Sequence, residues 1–156
     1  MNQTRYIFLS AVLMLIFTFG CNHAHEGVCA EDKTSSHGSE DSHNTGENCM
    51  NCHSINGSGE GCFKIAGSVS DSLNTKTQPD VTVRLYSGPN GTGVLKATVE
   101  GDRWGNFFTS DVAKFSGWLF PAVTGPSGKT QFMGTGITDG ACNSCHGVTE
   151  RKIWAK

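Results

Sequence analysis

From Phe63 onward the chain alternates between apolar and polar positions. In FKIAGSV, Phe63, Ile65, Gly67 and Val69 fall on one side; in DVTVRLYS, Val81, Val83 and Leu85 oppose Thr82, Arg84 and Tyr86. A period of two is the mark of half-buried strands, because successive side chains of a strand point to opposite faces. VLKATVE, NFFTS, FSGWLFPAV and KTQFMG supply further extended pieces, and SGPNGTG between two of them carries the Pro, Asn and Gly of a hairpin connection. No stretch repeats at 3.6 residues. The pattern predicts a mainly β fold: an antiparallel β-sandwich of about six to seven strands over 63–139, flanked by two short segments, 49–62 and 140–156. Trp104, Trp118 and the Phe residues are expected to fill its core. Arg84 and the acidic residues of the turns are expected at the surface. Six strands would return the chain to the pole where it entered and bring the flanking segments together, whereas seven would part them.

The pattern before Phe63 is different. MNQTR has one positive charge, at Arg5, and the apolar run YIFLSAVLMLIFTFG follows, too short for a comfortable membrane span. Residues 1–20 therefore read as an export signal. Residues 21–48 hold almost no large apolar side chain and are rich in Ser, Gly, Asp, Glu and His, a composition that cannot build a core and reads as a flexible polar tether. It contains His23, His25, His37 and His43.

Composition adds limits. The 156 residues suit one domain with tails, and 20 glycines favour short strands and tight turns. A net charge of -2 supplies no broad positive field, so nucleic acid is not an expected partner.

The chemistry lies in a repeated pentapeptide: CMNCH at 49–53 and CNSCH at 142–146. C-x-x-C-H is the attachment pattern of c-type haem, in which two thiols add across the porphyrin vinyl groups and the next His ligates the iron. Cys49, Cys52 and His53 would hold one haem, and Cys142, Cys145 and His146 a second, with His53 and His146 as proximal ligands. Structural zinc is the main rival, but paired C-x-x-C zinc sites usually stand 15–20 residues apart and need no His after each pair. A thioredoxin-like redox pair would need a βαβ unit, and disulfides within C-x-x-C would close loops too small to constrain much. Met133, His43 and His37 are candidate distal ligands; Met50, inside the first motif, points away from its own iron. An open sixth position would admit small ligands such as CO.

Of seven cysteines, four go to haem. Cys21 follows Gly20 in TFGC, which resembles the lipobox of bacterial lipoproteins, although Thr18 stands where a Leu-like residue is usual. Ordinary cleavage after Ala30, in VCA, is the competing reading. With Cys21 acylated, Cys29 and Cys62 remain as a candidate disulfide.

IAGSVSDS, PDVTVRLYSG and GNFFTS together resemble the prealbumin-like or carboxypeptidase-regulatory-like sandwich family, over about half the chain. With CMNCH, CNSCH and the export signal, the layout resembles exported dihaem c-type cytochrome lipoproteins of bacteria. The resemblance implies two covalent haem c groups and electron transfer in the periplasm or at the outer membrane, with redox proteins as partners and the membrane reached through Cys21. An electron carrier is expected here, not an enzyme. The alternatives are a haem enzyme of peroxidase-like type or a sensor with an open axial site, or a β-sandwich binding module whose haems are accessory.

Overall fold

The computed structural model describes residues 31–111 and 117–156. The export segment, the cleavage sites, Cys21, His23, His25 and Cys29 lie outside them. The fold is mainly β, with strands β1 (Ile65–Asp71), β2 (Thr82–Tyr86), β3 (Leu95–Glu100), β4 (Asn106–Thr109), β5 (Phe120–Thr124), β6 (Thr130–Phe132) and β7 (Ile153–Ala155). They form a three-stranded sheet, β4-β1-β7, and a four-stranded sheet, β3-β2-β5-β6. Ile65, Val69, Phe107 and Ala155 of the first sheet share one buried cluster with Val83, Leu85, Val99 and Val123 of the second, so the sheets face each other across a common core. This is the sandwich that the alternation predicts. Each aliphatic side chain buried there contributes about 1.5–3 kcal/mol. Gly67 faces that core, and a Cβ on it would stand 2.6 Å from Phe107 Cζ; its missing side chain is the space the Phe107 ring fills.

Four expectations are corrected. The seventh strand, β7, follows the second pentapeptide, within the segment read as a haem segment and tail, and it pairs in parallel with β1 from Val69↔Ile153 to Asp71↔Ala155. The sandwich is thus antiparallel except at this pair. Three residues are too few to show a period, but the free edge of β1 offers unpaired amides and carbonyls that the passing chain satisfies.

Residues 31–48, read as tether, lie against the sandwich. Thr34 bridges to Thr109, Ser35 is buried and its amide donates to the Phe108 carbonyl at 2.9 Å, and the amide of Gly46 donates to Ser68 Oγ at 2.9 Å. Their polar side chains form hydrogen bonds with the sheet in place of apolar packing, which composition alone does not reveal.

The tryptophans are not core. Trp104 is 46% exposed and Trp118 61% exposed. Among the turn acids, Asp102 is wholly buried: its Oδ1 accepts from the amides of Trp104 and Asn106, each at 2.9 Å, and so holds the β3–β4 turn.

Candidate functional site: two matching turns on one strand

The two pentapeptides adopt one local structure. Each forms a single 3-10 turn, Cys49–Asn51 and Cys142–Ser144. The amide of His53 donates to the Cys49 carbonyl at 2.9 Å, and that of His146 to the Cys142 carbonyl at 3.0 Å. Residues three apart on such a turn eclipse one another, so the two cysteines of each pair lie on one face, with the histidine one step beyond them. All four cysteines are free thiols.

The two imidazoles are oriented alike. His53 Nδ1 lies 2.8 Å from the Glu60 carbonyl oxygen, and His146 Nδ1 lies 2.6 Å from that of Arg151. A carbonyl only accepts, so Nδ1 carries the proton in both rings, which leaves Nε2 as the nitrogen that can ligate. The approach to His53 depends on Gly59, where a Cβ would stand 2.8 Å from Nδ1. Neither carbonyl was legible in the sequence, because a backbone acceptor has no residue type.

The surroundings differ. At the first turn, His53 stacks on Phe63, with centroids 4.2 Å apart and planes 11° from parallel, and Phe63 stacks in turn on Phe108 at 4.6 Å. Cys49 and Met50 pack on the cluster of Phe63, Ala66 and Phe108, which covers the face of the three-stranded sheet away from the main core. The ring of His43 lies 5.8 Å from that of His53, inclined at 42°. At the second turn, Cys142 packs against the main core. Cys142, Cys145 and His146 border a cavity of about 390 Å³ whose walls include Met133, Trp118 and Trp154. Exposed aromatics around an apolar cleft fit a large flat hydrophobic group better than they fit water. His146 also borders a more polar cavity of about 400 Å³ with Ser68, Asn143 and Lys152.

Both turns pack on β1, so their proximity follows from a shared strand and not from the parity of the strand count. The join is Asn143, the first variable residue of CNSCH. It is 5% exposed; its Oδ1 accepts the Ser68 amide at 2.9 Å, and its Nδ2 donates to the Gly46 carbonyl at 2.8 Å. Ser68 Oγ donates to Asn106 Oδ1 at 2.6 Å, and Asn106 Nδ2 donates to Ser42 Oγ and Thr45 Oγ1, each at 2.8 Å. One polar network thus ties the second turn to the chain entering the first. The thiols register their surroundings: burial pushes the Cys49 thiol up, and burial followed by the charge of Asp139 pushes Cys142 up to about 12.

The remaining candidates divide. His43 and Met133 are each brought beside a turn. His37 is not: its Nε2 lies 3.0 Å from the Val81 carbonyl oxygen and its Nδ1 4.0 Å from Glu100 Oε2. Cys62 is buried and disulfide-bonded; the Cys29 proposed for it lies outside the described residues. Among the described residues, no three His, Cys, Asp or Glu side chains converge where an ion could sit. Among the described residues, no helix is long and apolar enough to cross a membrane. No protein-family model, curated protein or solved structure matches the chain.

Proposed function

We propose that this protein is an exported electron carrier with two covalently attached haem c groups. The observation that carries the reading is the double occurrence of one arrangement: two free thiols on a single turn, followed by an imidazole whose Nδ1–H is held by a carbonyl. Cys49 and Cys52 would form the thioethers at the first site and Cys142 and Cys145 at the second, with His53 and His146 as proximal ligands. When bound, each haem supplies a one-electron Fe(III)/Fe(II) couple. The chain's own contribution is to fix imidazole tautomer and orientation through Glu60 and Arg151, to pack the first site on Phe63, and to offer the apolar cleft at the second. Residues 1–20 would direct export, Cys21 would carry a lipid at the outer membrane or its periplasmic face, and Cys29 would pair with Cys62. Its partners would be redox proteins.

The test is expression in a bacterial periplasm with c-type maturation machinery, followed by intact mass and a pyridine haemochrome spectrum. The expected mass gain is that of two haems, falling to one when Cys49 and Cys52 are both replaced by Ala. A colourless product with the mass of its amino acids and acyl groups alone refutes the reading. Carbon monoxide binding by the unmutated reduced protein would instead favour the enzyme or sensor.

A further inference from the structure

The two sites share their proximal half and differ in what faces it. At the first, a second imidazole stands beside the proximal one. A metal–imidazole bond is about 2 Å long, so two imidazoles on opposite sides of one metal have centroids roughly 6 Å apart. The rings of His43 and His53 are 5.8 Å apart. Glu60 holds Nδ1 of His53 and Phe63 covers one face of its ring, while His43 is exposed and free to adjust. Met50 is the competing donor there, but it is packed into the cluster of Phe63, Ala66 and Phe108. Among the described residues, no histidine other than His146 borders the cavity at the second site. The cavity bordered by His146 has Met133 in its wall, with the Met133 amide tied to the Pro121 carbonyl at 2.9 Å. Its charged neighbours Asp139, Glu150, Arg151 and Lys152 are exposed. The soft thioether is therefore the inward donor.

We infer that the sites are unlike: His43 supplies the sixth ligand at the first turn and Met133 at the second. This rests on the haem reading above. A histidine pair lowers a haem potential and a methionine raises it, so the protein reduces in two separated steps, the His146 site first.

The test uses the mature dihaem protein and its His43→Ala, Met133→Leu and Met50→Leu variants, with potentiometric titration, visible and NMR spectra, and carbon monoxide as probe. The unmutated protein should titrate in two waves, ignore carbon monoxide and show one set of strongly shifted axial-methionine resonances. His43→Ala should bind one carbon monoxide per chain and keep the methionine resonances. Met133→Leu, which preserves volume at a half-buried position, should lose those resonances and also bind one. Met50→Leu should change nothing. A product without haem overturns the underlying reading. A dihaem protein whose His43→Ala form still ignores carbon monoxide, or whose Met133→Leu form keeps its methionine resonances, overturns this inference alone, as does a methionine signal lost in Met50→Leu.

Discussion

Replacing Asn143 with Ala should destabilise the protein and loosen the connection between the two turns. The side chain makes two hydrogen bonds, accepting the Ser68 amide at 2.9 Å and donating to the Gly46 carbonyl at 2.8 Å. Ser68 is buried on β1, with Asn143 as its amide's partner. Losing that acceptor leaves a buried N–H unpaired, at a cost of about 1–3 kcal/mol. The Gly46 carbonyl belongs to an exposed residue that water can reach, so its loss costs no more than the net value of one hydrogen bond, about 1 kcal/mol. The sum, about 2–4 kcal/mol, is a large share of the roughly 5–15 kcal/mol that holds a typical domain together. Urea denaturation of both proteins in the same cofactor state should show the loss as a lower midpoint at unchanged slope. Amide exchange should show faster opening at Ser68 in particular. A loss below about 0.5 kcal/mol, in the range of ordinary surface substitutions, with Ser68 still protected, would mean that Asn143 is not the join.

Three further outcomes follow. Phe63→Ala removes a buried ring stacked on both His53 and Phe108, and should cost about 3–5 kcal/mol in thermal or urea unfolding. A cost near zero would show that the outer cluster is not packed. Gly67→Ala places a methyl 2.6 Å from Phe107 Cζ, and should cost about 1–3 kcal/mol by overpacking; an unchanged melting temperature would contradict that crowding. The Cys142 thiol is raised from an ordinary 9.0 to about 12, so between those values the unfolded chain loses a proton that the folded chain keeps, and stability falls as pH rises. Haem-free protein should therefore weaken from about pH 9 to 12 more steeply than its Cys142→Ala variant, while protein with Cys142 in a thioether should lack this component. Equal pH slopes in the first pair would refute the shift.

The sequence by itself determined the parts that depend on local chemistry. Alternation at Ile65, Val69, Val83 and Leu85 is enough to build strands with one apolar face, and two such sheets can only bury those faces against each other. The spacing C-x-x-C-H is likewise enough to define each turn, because the hydrogen bond from His to the first Cys closes within five residues. Tertiary structure decided what depends on partners distant along the chain. It recruited Ile153–Ala155 to the open edge of β1, laid the polar stretch 31–48 on the sandwich, and left Trp118 exposed at a cleft. It also set His43 beside His53 while tying His37 to Val81. The physical reason is reach. Periodicity and turn chemistry act over a few residues, whereas a carbonyl facing an imidazole, or Asn143 meeting Gly46 across nearly the whole domain, exists only once the core has closed.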